Sequence, residues 1–224
     1  RVERRPRVES RHELQVVGRL DETHRHGSQL AGRPGDGHAN SHPTTLPPHT
    51  ATGGRRGYAG SMVSFADVSV TDATAHRMLA DYFAERAETF PASQGAYRTT
   101  FPDPGQFVPP AGVFLLAYDD GEAGCGGIRE LSVPLSDTED GEQIVRYEIK
   151  HLWVAPAHRG QGIGRAILAE LEHRARGFGA TEVVLDTNAS LEAAGGLYRS
   201  HGYESIQPYN ENPNATDWFR KRLR

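Results

Sequence analysis

One short run constrains this chain more than any other: Arg159-Gly160-Gln161-Gly162-Ile163-Gly164. It follows a strand-like stretch, Tyr147 to Val154, and opens a helix-like stretch, Arg165 to Arg176. Glycines let the backbone approach a ligand with no Cβ in the way. The first N–H groups of a helix lack internal partners and lie at the positive end of its dipole. A Gly-rich loop that runs into a helix is therefore a site for a phosphate or pyrophosphate.

The chain around this run divides in two by composition. Residues 1–61 carry 10 Arg, no Lys and 6 acids, a balance of +4, whereas residues 62–224 carry a balance of −8. The first 61 residues hold no Phe, Trp or Ile, but 9 Gly, 5 Pro and 6 of the 11 His. Too little apolar surface is available there to offset chain entropy, so the expectation is a disordered leader. The chain starts with Arg1, and its first Met, Met62, directly precedes the first alternating apolar run. That favours a vector-derived or upstream-translated leader, left out of fold reasoning. A nucleic-acid arm is disfavoured, because the Arg residues are interleaved with acids and Tyr58 is the only aromatic. No metal is expected: His24/His26 and His38/His42 lack Cys partners and a folded frame.

Residues 62–224 suffice for one well-buried domain. The lone Cys125 excludes an internal disulfide framework and fits a reducing cytoplasm. No apolar stretch reaches transmembrane length, so no membrane partner is expected. Net acidity argues against nucleic acid as a main partner of this domain.

Periodicity predicts the element order. Val63 to Val70 reads as a strand, and Thr71 or Asp72 caps a helix through His76, Leu79, Phe83 and Ala87. Phe90 to Gly112 reads as a long loop with at most one short helix. Val113 to Tyr118 and Ala123 to Leu131 form a hairpin around Asp119-Asp120-Gly121, with Gly124, Gly126 and Gly127 marking a bulge or close backbone packing. Ser136 to Gln143 is a polar surface loop, and Ile144 to Val154 is the longest strand. After the glycine loop and its helix come a short strand Thr181 to Leu185, a helix Ser190 to His201, and strands near Tyr203 to Gln207 and Trp218 to Leu223. The fold class is α/β: a mixed, mostly antiparallel central sheet with a late parallel β-α-β crossover and flanking helices.

A dinucleotide site fits poorly. The spacing is G-x-G-x-G where that motif wants G-x-G-x-x-G, and five residues separate the strand from the first glycine. Asp186 then reads as a plain polar residue at a strand end. The stretch Val154-Ala155-Pro156-x-x-Arg159-x-x-Gly162-x-Gly164 instead resembles the acyl-CoA motif of the GNAT N-acetyltransferase superfamily. Ala194-x-x-Leu197-Tyr198-x-x-x-Gly202-Tyr203 resembles the same family's downstream helix.

The resemblance implies acetyl-CoA as co-substrate and an amine acceptor, small molecule or peptide. Backbone groups of Gly160, Gln161, Gly162, Ile163, Gly164 and Arg165 would hold the pyrophosphate beside Arg159. The N–H of Leu152 would face the acetyl carbonyl, with Trp153 and Val154 along the pantetheine arm. Glu148, eleven residues ahead of Arg159, stands where some members carry a general base, and Tyr198 would protonate the leaving thiolate. Each has a bland counterpart: an ion pair of Glu148 with Lys150 two residues on, and a core aromatic at Tyr198. The family's usual asparagine, three residues before Ala194, is Leu191 here, which leaves Asn188 as its substitute.

Alternation puts His151 on the face opposite Glu148, and Cys125 reads as a buried structural thiol. Phe90 to Gly112 and Tyr209 to Pro213 are expected to wall the acceptor site, where Glu85, Glu88 and Glu211 either favour a cationic amine or form a solvated face. A non-catalytic acyl-CoA-binding module and a nucleic-acid-binding protein acting through its tail remain as alternatives, and a homodimer is compatible with the chain. Deleting residues 1–61 is expected to leave the melting temperature and acetyl-CoA affinity unchanged. A large loss in either would show that this segment packs on the domain.

Overall fold

The computed structural model describes residues 63–132 and 143–223. The leader, Met62 and most of the predicted polar loop at 136–143 lie outside the described residues. The elements run β1 (Ser64–Val68), α1 (Ala73–Thr89), β2 (Gly112–Tyr118), β3 (Glu122–Leu131), β4 (Arg146–Val154), α2 (Ile163–Gly177), β5 (Glu182–Thr187), α3 (Glu192–Ser200), β6 (Glu204–Ile206) and β7 (Asp217–Arg222). One seven-stranded sheet takes the order β1-β2-β3-β4-β5-β7-β6. Every neighbouring pair is antiparallel except β4 and β5, which the α2 crossover joins in parallel. This is the mixed sheet that the element order predicts.

Local chemistry explains the boundaries. Asp72 caps α1, accepting from the N–H groups of Thr74 at 2.8 Å and Ala75 at 3.2 Å. Asp120 and Gly121 turn the β2–β3 hairpin at φ of 51° and 141°. Two 3-10 turns, Ala92–Gln94 and Pro104–Phe107, punctuate the long loop, one more than the sequence indicates.

Alternation along the strands sorts two apolar clusters onto opposite faces of the sheet. Val113, Leu115, Ile128, Tyr147, Ile149 and Leu185 meet Ile163, Ile167, Leu168 and Leu171 of α2. Phe114, Leu116, Cys125 and Trp153 meet Met78, Leu79 and Phe83 of α1. Burial pushes the Cys125 thiol up to about 12, consistent with an unreactive structural residue.

Two irregularities distort the sheet on either side of β4. The parallel pairing of β4 with β5 covers only Arg146, Tyr147 and Glu148, so the remainder of β4 parts from β5. On the other side, Cys125 pairs with Trp153 and Gly127 with Lys150, so two steps on β3 match three on β4. The extra residue sits on β4, whereas the glycines of β3 had suggested it there, and His151 takes the left-handed region at φ 57° to accommodate it. The bulge resets the alternation. His151 lies against Tyr82 and Phe83 of α1, on the side of Glu148 and Lys150, which corrects its predicted placement on the opposite face.

The β3 glycines serve close packing against this bulged strand. A Cβ on Gly124 would stand 2.5 Å from the Trp153 carbonyl oxygen and 2.9 Å from Ile167 Cδ1, and one on Gly127 would stand 2.6 Å from the Phe107 ring. Gly124→Val is expected to destabilise the domain by about 3 kcal/mol, because the obstacle is backbone and cannot rotate away. Urea unfolding checks this, and wild-type stability would show that the strands can part at little cost.

Candidate active site

The parting of β4 and β5 opens a cleft of about 570 Å³. Ile149, Lys150, His151 and Leu152 of β4 line one side, and Asp186 and Thr187 of β5 with Tyr198 of α3 line the other. His151 and Leu152 fall in the register gap of the bulge, with no strand partner in either ladder.

The glycine loop lies beyond the end of β4. Gly160 and Gly162 adopt φ of 76° and 85°, and Gly162 is the N-cap of α2 with no capping side chain. No acidic residue occupies the first turn of α2. A Cβ at Gly160 or Gly162 would meet nothing within 4 Å, so the ground over the loop is open. Ile163, 1% exposed, pins the helix start into the core. A Cβ on Gly164 would come within 3.5 Å of Val154 and 3.7 Å of Leu197, which ties this helix to β4 and α3. The loop closes on itself through Gln161 Nε2, which donates to the Ala157 carbonyl at 3.2 Å. An open helix N-terminus with left-handed glycines fits a pyrophosphate. Arg165, on the first turn, is exposed.

Arg159 is braced on both sides. Its Nε donates to the Val154 carbonyl at 3.0 Å, and its Nη2 to Glu85 Oε2 at 2.5 Å. The same Glu85 oxygen accepts from Trp153 Nε1 at 2.9 Å. Burial alone would raise the Glu85 carboxyl, but the hydrogen bonds from Arg159 and Trp153 outweigh it and hold the group below its usual range. Glu85 therefore braces the glycine loop, and Glu88 and Glu211 are exposed and outside the cleft lining. The carboxylates considered for a cationic acceptor do not gather at the acceptor end.

Glu148 is 0% exposed and saturated with donors. Arg129 donates to Oε2 from Nε at 2.8 Å and from Nη2 at 2.6 Å. Oε1 accepts from Lys150 Nζ at 3.3 Å, Tyr209 hydroxyl at 2.9 Å and Asn210 Nδ2 at 3.3 Å. The ion pair with Lys150 is present, and Glu148 is not among the residues that line the cleft. Asp186 is. It accepts from Lys150 at 3.1 and 3.2 Å, Asn210 at 2.7 Å and Asn212 at 3.0 Å, so its plain reading as a strand-end residue understates it.

Tyr198 is buried yet lines the cleft, and among the described residues its hydroxyl has no hydrogen-bond partner. Burial, and then the charge of Asp186, push its pKa up, so it holds its proton at neutral pH and is a donor. Burial, reinforced by the charges of Lys150 and Arg129, lowers His151 to about 3, so its ring is neutral. Asn188 has its amide engaged: Nδ2 donates to Gln94 Oε1 at 2.7 Å and the Asn214 carbonyl at 3.0 Å, and Oδ1 accepts from Ser190 N at 3.1 Å. The Trp153 side chain turns toward α1 and is not among the residues that line the cleft.

Both predicted walls reach the cleft. Tyr97, Phe101 and Phe107 line it from the long loop, and Asn210 and Asn212 from the segment before β7. Asn214 joins the walls, accepting from Arg98 N at 2.9 Å and donating to the Arg98 carbonyl at 2.8 Å. The sequence did not single out Arg129 or Asn214 as site residues, and it gave Tyr209 only as part of a wall and not as a partner of Glu148; these roles come from register and loop contacts that carry no local signature.

Comparison with known proteins agrees with this geometry. Residues 110–205 match the family model of the acetyltransferase (GNAT) domain. The chain is 32% identical over 114 residues to the uncharacterized N-acetyltransferase YsnE of Bacillus subtilis, covering 48% of this chain and 68% of that protein. It is 32% identical over 110 residues to an uncharacterized N-acetyltransferase of Schizosaccharomyces pombe, covering 48% of this chain and 61% of that one, so the match spans roughly two thirds of these relatives. Among solved structures, a Klebsiella pneumoniae protein assigned as an acyl-CoA N-acyltransferase superposes with a TM-score of 0.54 at 30% identity, covering 72% of this chain and 98% of that one.

Gly162→Val adds a side chain in a left-handed conformation that costs about 1–2 kcal/mol and places it over the open loop. The acetyl-CoA dissociation constant is expected to rise at least about tenfold, one decade per 1.4 kcal/mol. Calorimetry on the folded variant checks this, and unchanged affinity would remove the loop from the site.

Proposed function

The chain belongs to the GNAT acetyltransferase family, and on that premise we propose that it moves an acetyl group from acetyl-CoA to a primary amine by direct attack of the amine on the thioester. The acceptor is a small molecule or a peptide. One observation carries the reading: the cleft begins where β4 and β5 stop pairing and is lined by the unpaired hydroxyl of Tyr198, while Gly164, in the first turn of α2, packs close to Val154 at the end of β4 and to Leu197 beside Tyr198.

Each residue then has a task. The loop from Arg159 to Arg165 holds the pyrophosphate through backbone N–H groups, with Glu85 keeping Arg159 in place. Leu152, unpaired at the bulge, offers its N–H to the carbonyl oxygen as negative charge gathers there, a contribution of about 3 kcal/mol per donor. Val154 aligns the pantetheine arm, and Asn188 reaches it only by exchanging a present partner. The new amide bond forms as the carbon–sulfur bond breaks, and Tyr198 donates its proton to the departing sulfur.

The amine must lose a proton. Of the two carboxylates that line the cleft, Asp103 and Asp186, it is Asp186 that shares Lys150 and Asn210 with Glu148 and takes the proton. Glu148 supports that transfer through this network, since all of its lone pairs already have donors. Direct attack needs no acyl-enzyme, in keeping with the buried Cys125.

Release of free CoA thiol across a panel of amines tests the activity, and acetyl-CoA binding without release from any amine would leave a binding module. Glu148→Gln and Tyr198→Phe are each expected to lower kcat about 100-fold or more while acetyl-CoA binding stays nearly constant. Raising the pH should partly rescue Glu148→Gln, because more amine arrives neutral, and should not rescue Tyr198→Phe. Wild-type rates for Glu148→Gln at every pH would remove it from the mechanism.

A further inference from the structure

Arg86 of α1 lines the same cleft and is only 5% exposed. Its contacts are sparse for a buried guanidinium with five N–H donors. Nη1 lies 3.3 Å from Thr89 Oγ1, and Cζ stands 5.6 Å from the centroid of the Tyr97 ring. Among the described residues no carboxylate lies within 4.0 Å of it. A buried cation ordinarily has an anion beside it, because desolvation without one is costly. Glu85, its neighbour in sequence, feels the charge of Arg86 but makes its hydrogen bonds to Trp153 and Arg159.

The other cations of the cleft are accounted for differently. Arg129 and Lys150 are balanced by Glu148 and Asp186 within one network. Arg86 and the exposed Arg98 are left over, and among the described residues neither has a carboxylate within 4.0 Å. Asp103, the other acid of the lining, accepts from the Gly105 N–H at 3.0 Å. The surroundings of Arg86 are aromatic: Phe83 packs 5.0 Å from Phe101 and 6.5 Å from Tyr97. Burial of Arg86 beside Phe83 strengthens an ion pair made there and disfavours a polycation.

We infer that the acceptor is an amine that also carries an acid group, carboxylate or phosphate, whose anion pairs with Arg86 while its amine reaches the thioester end of the cleft beside Tyr198. This rests on the acetyltransferase reading above and narrows its acceptor. Arg86 is the fitting residue, since its planar fork meets a carboxylate or phosphate at two points.

Matched amines that differ only in the acid test the inference on the full chain: phenylalanine against phenylalaninamide, and phosphoethanolamine against ethanolamine. The wild-type protein is expected to favour the acid member of at least one pair by about 30-fold in kcat/KM, the scale of one buried charge pair. The pair that shows the preference identifies the anion. Arg86→Gln should collapse the ratio through KM for the acid, with acetyl-CoA affinity held within about twofold, and Arg86→Lys should fall between. Equal treatment of both members by the wild type overturns the inference, as does an Arg86→Gln variant that weakens acetyl-CoA and both members alike. Calorimetry with N-acetylphenylalanine and N-acetylphenylalaninamide on the CoA-loaded protein makes the comparison without turnover. Acid preference in binding with no thiol release from any amine would remove the acetyltransferase reading and leave the anion pocket standing. Thiol release without acid preference would do the reverse.

Discussion

Everything at the site depends on how β4 and β5 come apart, and the buried charge network around Glu148 sits at that point. Glu148 is the last β4 residue paired with β5, opposite Val184. Its partners come from separate parts of the chain: Arg129 on β3, Lys150 on β4 itself, and Tyr209 and Asn210 from the segment before β7. Lys150 and Asn210 carry the network on to Asp186 of β5. A buried ion costs several kcal/mol in desolvation, and removing one partner of a buried pair costs about 3–5 kcal/mol. The network is therefore stable only in the geometry that satisfies all of its members. Polar side chains take the place of backbone pairing in the gap, and the strands diverge around them.

The bulge on β4 completes this arrangement from the other side. One extra residue at His151–Leu152 bends the strand away from β5 and releases Leu152 from either ladder. The strain of a non-glycine residue at φ 57° is borne by packing of the His151 ring against Tyr82 and Phe83. Gly124 of β3 lets that bulged strand lie close, since a side chain there would run into the Trp153 carbonyl, while Gly126 and Gly127 make room for side chains of α2 and for the Phe107 and Phe114 rings. The cleft and the loss of regular pairing at His151 and Leu152 thus lie side by side on β4. Glu85 extends the order to the glycine loop by joining α1 to Trp153 and Arg159.

Much of the fold was legible because its signals are local. Asp72 announces α1, Asp120-Gly121 the hairpin, and Gly179 and Gly202 the ends of the two later helices, each by a backbone need that the residue type meets. The glycine loop was legible for the same reason. The face of His151 was misread because period-two alternation holds only while the ladder stays in register, and one inserted residue inverts everything beyond it. Asp186 was underrated because its partners Lys150, Asn210 and Asn212 are far from it along the chain.

By itself the sequence determined the element order, the class of sheet, and a glycine turn at Arg159 to Gly164 that opens a helix, because turn geometry, caps and periodicity are written in adjacent residues. Tertiary structure alone decided which charges cancel. Glu148 disappears into pairs with Arg129 and Lys150, Glu85 is drawn to Arg159, and Arg86 is left buried with no carboxylate of the described residues within 4.0 Å. Charge balance at a site is a sum over neighbours in space, and the neighbours of these residues come from strands and loops far apart in the chain.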